Sequence, residues 1–242
     1  MAVNRDSDGS SETPAATAES GEELEGPFDI DDFDDPSVAT VARLDLGSVL
    51  IPMPEAGQVQ VELANTGVPS AVWVVTPHGR FTVAAYAAPK SPGLWREVAG
   101  ELAESLRKDV PKVSIEDGPW GREVIGVGAE NSGVVRFIGV DGYRWMIRCV
   151  VSGPHDRMHA LVEQARDALA DAVVRRGDTP LPVRTPLPIE LPEPMAEQLR
   201  AATEQAAAQQ SAATPQPQPP QPAGGRRTQG SAMQQLRTST GG

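Results

Sequence analysis

The sequence predicts an α+β fold: a twisted antiparallel β-sheet built of hairpins, two amphipathic helices packed on it, and a disordered tail at each end. Three observations lead there. Strand-like runs are joined by tight-turn signals, which only antiparallel neighbours can use. Two segments carry apolar residues at helical spacing. Composition also changes abruptly near both ends of the 242-residue chain.

The charge shows where the folded part lies. Residues 1–36 hold twelve acids and one base, residues 37–202 twenty acids and seventeen bases, and residues 203–242 one acid and three bases. Nearly all of the net charge of −12 therefore belongs to the N-terminal arm. An acidic arm repels phosphates and the middle is nearly balanced, so nucleic-acid binding is not expected. Cys149 is the sole cysteine, which leaves no intrachain disulfide. The first 30 residues lack the basic start and apolar stretch of a signal peptide. No apolar run nears the ~20 residues of a membrane span. These features predict a cytoplasmic protein with no membrane contact.

Residues 1–25 have little to bury and are expected to be a disordered acidic arm. In residues 26–36, Phe28, Ile30 and Phe33 stand among Asp29, Asp31, Asp32, Asp34 and Asp35. Order is expected from about Arg43. Leu44 to Ile51 reads as a strand, and Gln58 to Leu63 alternates as a half-buried strand does. Asn65-Thr66-Gly67 marks a turn. Ala71 to Thr76 and Arg80 to Ala87 are strands joined through Pro77-His78-Gly79. Ser91-Pro92 supplies a capping hydroxyl and a proline for a helix start. Leu94, Trp95, Val98, Leu102 and Leu106 make its apolar stripe, and Lys108 helps close its end.

The second half repeats this order. Lys112 to Glu116, Arg122 to Val127, Val134 to Val140 and Tyr143 to Val151 read as strands, the last two joined at Asp141-Gly142. A two-residue turn there pairs Val140 with Tyr143, Ile138 with Trp145, Arg136 with Ile147 and Val134 with Cys149. That face is apolar except for Arg136. The other face carries Phe137, Met146, Val135 and Val150 beside Arg144 and Arg148, so the sheet is expected to be covered fully on one side and partly on the other. A helix follows Pro154, with Met158, Leu161, Val162, Ala165, Leu169 and Val173 on one stripe, and stops at Gly177.

Proline at every few positions from Thr179 to Pro192 forbids a central strand or helix interior, and predicts an extended strap. The expected organisation is a single domain over residues 37–178, a strap and short helix over 179–209, and a disordered Gln/Pro-rich tail over 210–242.

Several blocks carry a resemblance. Gly26-Pro27-Phe28-Asp29-Ile30-Asp31-Asp32, Arg43-Leu44-Asp45-Leu46-Gly47-Ser48, Ala87-Ala88-Pro89-Lys90 with Leu94-Trp95-Arg96-Glu97, Asp117-Gly118-Pro119-Trp120-Gly121-Arg122-Glu123 and residues 136–145 resemble a family of uncharacterised actinobacterial proteins known only as a domain of unknown function. The likeness spans about residues 26 to 200. It implies a lineage and a single domain, with no activity to carry over. The order of strands and helices is also similar to the antiparallel α/β sandwich of the Mog1/PsbP-like group, mostly small binding or assembly proteins, and fold does not fix function.

Most candidate chemistry dissolves on inspection. Gly126-Val127-Gly128 is followed next by Gly133, which breaks dinucleotide-loop spacing, and a strand follows where a helix is needed. His155 and His159 could share a zinc ion, but His78, the remaining histidine, is on a distant turn. Cys149 sits on an apolar strand face and reads as a buried structural thiol. The aspartates of residues 29–35 lack the glycine and glutamate of a calcium loop. No catalytic residue, metal ligand or cofactor is assigned.

Two features remain. Phe28, Ile30 and Phe33 suit a short recognition segment that enters an apolar groove, on a partner or on this same domain, with Trp120 as a possible anchor. Arg136 must be paired, with Glu123, Glu116 or Asp117 as partners, or must lie in a pocket. With Arg144 and Arg148 it could line an anion site. The expected function is non-catalytic binding or scaffolding through protein–protein contacts. The alternative is a small-anion binder or enzyme with an arginine-lined pocket.

Overall fold

The computed structural model describes residues 26–129 and 133–213, with side chains through residue 205. The expected disordered arm (1–25) and most of the expected tail (214–242) lie outside the described residues. One compact unit runs to Met195 and a second begins at Ala196.

The first unit is α+β, with two sheets where the sequence predicted one. The larger has the order β4-β5-β6-β10-β9-β8-β7. Its strands are β4 (Gln58–Leu63), β5 (Pro69–Thr76), β6 (Gly79–Ala87), β7 (Lys112–Gly118), β8 (Gly121–Val127), β9 (Val134–Asp141) and β10 (Trp145–Gly153). Every neighbour pair in it is antiparallel. The last strand of each half, β6 and β10, meet at its centre. The smaller sheet is β1 (Phe28–Asp29), β11 (Val173–Val174), β3 (Val49–Pro52) and β2 (Arg43–Asp45), in that order, with a single helical turn, α1 (Pro36–Ala39), between β1 and β2 in the chain. Val173 thus belongs to a strand; the second helix, α3, covers Met158–Ala170 and ends well before Gly177.

The β9–β10 register differs from the expected one by four residues. Val140 faces Ile147 and Ile138 faces Cys149, because Gly142 to Arg144 form the connection and β9 first pairs with β10 at Asp141 and Met146. Arg144 sits there at φ +64°, and Gly142 N–H donates to Trp145 O at 2.9 Å. A shift by an even number keeps each side chain on its face, so the predicted faces stand except for Tyr143 and Arg144, which leave the strand for the connection.

α3 seals one face. Leu161, Ala165 and Leu169 are fully buried against Phe81, Ile147, Cys149 and Val151, and each buried leucine contributes about 1.5–3 kcal/mol. The smaller sheet completes this core through Val49, Ile51 and Val174. The opposite face carries α2 (Leu94–Leu106), packed chiefly on β7, β8 and β9.

α2 does not start as expected. Its N-cap is Gly93, with no cap from its own side chain. Asp141 supplies the cap from the β9–β10 connection, accepting from Gly93 N–H and Trp95 N–H at 2.9 Å each. Its buried residues are Leu94, Trp95, Ala99 and Ala103. Small residues bring it close: a Cβ at Gly139 would overlap the Trp95 ring, and one at Gly126 would lie 2.6 Å from Leu106. Val98 and Leu102 stay only partly buried.

The proline-rich strap extends the edge of β6 where β5 diverges. Ala87 N–H donates to Thr185 O at 2.9 Å and Arg184 N–H to Ala87 O at 2.7 Å. Leu187 enters the core, and Glu190 N–H reaches Leu46 O at 3.0 Å. The strap thereby ties the two sheets together. α4 spans Glu193–Ala213, so the second unit is helical as far as it is described and residues 210–213 leave the expected tail. Among the described residues, no helix is long and apolar enough to cross a membrane.

Candidate functional site

Residues 26–36 lie against their own domain. Phe28 and Asp29 pair in parallel with Val173 and Val174. Ile30 is buried with Ala39, Leu50 and Val173, and Phe28 and Phe33 pack on that cluster edge to face, 6.1 Å between centroids. Trp145 Nε1 donates to Asp29 Oδ2 at 2.7 Å and Trp120 Nε1 to Gly26 O at 2.6 Å. The groove these apolar residues enter is built by this chain, and Trp120 fastens its rim. Their aromatic rings are committed to the fold.

Arg136 is paired. Its Nη1 donates to Glu123 at 2.6 Å and its Nη2 to Glu116 at 2.7 Å. Arg166 of α3 donates to both Glu123 oxygens at 2.9 Å. Glu116 and Glu123 face each other across β7 and β8, so two like charges in register are bridged by Arg136, with Arg166 adding a second guanidinium on Glu123. A cleft of about 390 Å³ opens beside this cluster, lined by Lys112, Ile125, Val134, Met158, His159 and Glu163 among others. With two carboxylates opposing two guanidinium groups, the cluster has no charge left for an anion. Its work is to pin α3 to the sheet.

The three arginines expected to share a pocket do not converge. Arg136 faces the α3 side and Arg148 the α2 side, because neighbours in sequence parity point to opposite faces of a sheet. Arg144 lies in the β9–β10 connection, where its carbonyl accepts from Ala88 N–H at 2.9 Å and Arg176 Nε at 3.1 Å. It lines neither cleft.

Arg148 differs from Arg136 in the one property that matters for anions. Among the described residues, no carboxylate or other hydrogen-bond acceptor reaches its side chain; a sealed Nε without a partner it has in common with Arg136 and Arg166. The guanidinium stacks over Tyr86 at 4.9 Å. It lines a cleft of about 320 Å³ with Tyr86, Val98, Leu102, Ser105 and Met146, whose mouth holds Arg184 and Glu101. Arg184 is already occupied, donating to both Glu101 oxygens at 2.9 Å and to Glu97 at 3.2 Å. These hydrogen bonds, Glu101 first, raise its pKa further. The cleft thus has apolar walls and one uncompensated cation.

The same face of the sheet continues past α2 toward β5. Arg80 lies over Trp73 at 4.4 Å and, like Arg148, has no acid partner among the described residues. Register places Trp73, Arg80, Thr82, Ala84, Arg148 and Tyr86 on this one face. Sequence reading named Arg148 but missed Tyr86, Val98, Leu102 and Met146. The signal was the wide apolar stripe of α2, broader than the sheet could bury. Elsewhere, Cys149 is fully buried, and burial drives its thiol pKa far above the usual range. His159 Nδ1 is 3.3 Å from Glu163, and among the described residues no group of three or more His, Cys, Asp or Glu is placed to hold a metal.

A family model described as "Protein of unknown function (DUF3710)" matches residues 26–198. No curated protein matches. A crystal structure from Bacteroides thetaiotaomicron is similar at 11% identity and a TM-score of 0.40, covering 72% of this chain. This chain spans 62% of that one.

Proposed function

The chain belongs to the DUF3710 family of proteins of unknown function, and from that premise we propose that it is a non-catalytic, cytoplasmic binding protein that holds an acidic segment of a partner protein. The carrying observation is Arg148, a half-buried guanidinium with no counter-charge among the described residues, set in a cleft with largely apolar walls. Leaving a cation so placed costs stability unless a ligand compensates it. A carboxylate from an Asp, a Glu or a chain terminus would take the fork of Arg148 in two charge-assisted hydrogen bonds. A neighbouring apolar side chain would lie against Val98, Leu102 and Met146. The Trp73–Arg80 stack gives the next part of an extended acidic segment a second cation. The cleft volume is at the lower end for small-molecule sites, which favours a peptide side chain over a whole metabolite.

The test is an amide NMR titration of the full chain. Probes are acetylated peptides pairing Asp or Glu with Leu or Phe, their amidated Asn or Gln counterparts, and free phenylacetate. The reading expects acidic peptides to shift amides of Met146–Arg148 and Val98–Ser105, with the response lost in Arg148→Gln and kept in Lys112→Gln. Equal responses from acidic and amidated peptides would refute it. Tight binding of phenylacetate alone would favour a small-anion binder instead.

A further inference from the structure

We propose that β4 is a docking edge for a second copy of this chain, whose own β4 adds antiparallel about a two-fold axis through Gln60. The two seven-stranded sheets would then join edge to edge. The observation is independent of the Arg148 cleft.

β4 is the outermost strand on one side of the larger sheet. Glu62 O accepts from Ser70 Oγ at 3.1 Å and Ala64 N–H donates to Val68 O at 2.8 Å, so the even-numbered residues turn their backbone groups inward to β5. By the alternation of an antiparallel ladder, Val59, Val61 and Leu63 aim theirs outward. Such an edge is a template for another strand unless charge, proline or a bulge protects it. The opposite edge is so protected, since β7 exposes Lys112, Glu116 and Asp117. β4 has one charged residue, Glu62, whose carboxylate accepts from Trp73 Nε1 at 2.8 Å within its own sheet, and the register shift in its pairing with β5, at Glu62/Leu63, lies beyond the Val59–Val61 stretch.

The sequence of β4 matches itself with the axis at Gln60. Residues opposite each other must share a face, so a two-fold axis normal to the sheet has to pass through a residue. With Gln60 on the axis, Val59 meets Val61 of the second copy on the half-buried side. On the exposed side Gln60 meets Gln60, and Gln58 meets Glu62 in an amide–carboxylate pair. The outward-facing Val59 and Val61 are then the pair that exchanges both backbone hydrogen bonds. No like charges oppose each other.

Sedimentation equilibrium of the full chain tests this. The expected result is a concentration-dependent mass rising toward twice the chain's 25.6 kDa. Gln60→Lys sets two ammonium groups opposite each other and should weaken the dimer on the order of two- to five-fold, with recovery at high salt; Gln58→Lys faces Glu62 of the second copy and should strengthen it similarly. Both positions are exposed, so the monomer fold survives either change, and circular dichroism confirms it. A chain that stays monomeric at every concentration, or a dimer on which the two lysines do not act in opposite directions, would overturn the proposal.

Discussion

Replacing Glu123 by glutamine removes the one carboxylate that receives both Arg136 and Arg166. The side chain is 2% exposed, and its partners are 17% and 25% exposed. Breaking a buried pair from one side costs about 3–5 kcal/mol, since the charges left behind are uncompensated. Glu116, half exposed, still holds Arg136 at 2.7 Å, which places the loss near the low end, about 3 kcal/mol. For a unit of this size that is a fall in Tm of about 6–12 °C. Urea denaturation followed by tryptophan fluorescence measures it, with an unchanged m-value expected. Substituting Glu123, Arg136 and Arg166 together by leucine or methionine should recover much of the loss, as apolar replacement of buried charge networks does. A single-variant loss under about 1 kcal/mol, or a triple variant worse than the single one, would refute the view that this cluster pins α3 to the sheet by buried charge pairing.

Other outcomes follow from the same geometry. Gly139→Ala drives a methyl into the Trp95 ring, which Arg122 O (2.7 Å) and the Asp141 cap hold in place; a loss of about 1–3 kcal/mol is expected by denaturant titration. Asp141→Ala should cost about 0.5–2 kcal/mol through the lost cap, with hydrogen exchange quickening in the first turn of α2. Asp45 feels desolvation, which raises its pKa, but the hydrogen bonds from Arg175 and Gly47 outweigh it and the folded-state pKa is lowered. Its contribution is therefore fully present above the ordinary carboxylate pKa of about 3.9 and is lost as pH falls through the lower folded value; Asp45→Asn should flatten that acid limb of stability against pH. Cys149 should resist iodoacetamide at pH 8 and react only at the rate of unfolding, as mass spectrometry can follow.

Faces were legible in the sequence where spacing sets them. Strand parity put Arg136 with Ile138 and Cys149 on the α3 side and Arg148 with Met146 on the other, and this survived a register error because the error was even. The stripe of α3 was legible for the same reason, except that Val173, in phase with it, belongs to a strand beyond the helix end. What failed was non-local. Asp141 caps a helix 46 residues earlier in the chain, and no local rule replaces Ser91 with it. The small sheet escaped notice because β1 and β11 are two residues each, too short for a period, and their pairing spans most of the domain. Arg136 and Arg148 are each an arginine in an apolar strand, and sequence reading named carboxylate partners only for Arg136 while still grouping the two in one anion site. They differ only in whether folding brings a carboxylate within reach, a property of the tertiary structure.

The central claim is that Arg148, not Arg136, has a free charge to offer. Arginine Nε NMR of the full chain during titration with an acetylated Asp-Leu peptide tests it most directly. The account predicts that the Arg148 Nε–H resonance moves in proportion to binding while those of Arg136 and Arg166 stay in place. Movement of Arg136 or Arg166 with a stationary Arg148 would contradict it.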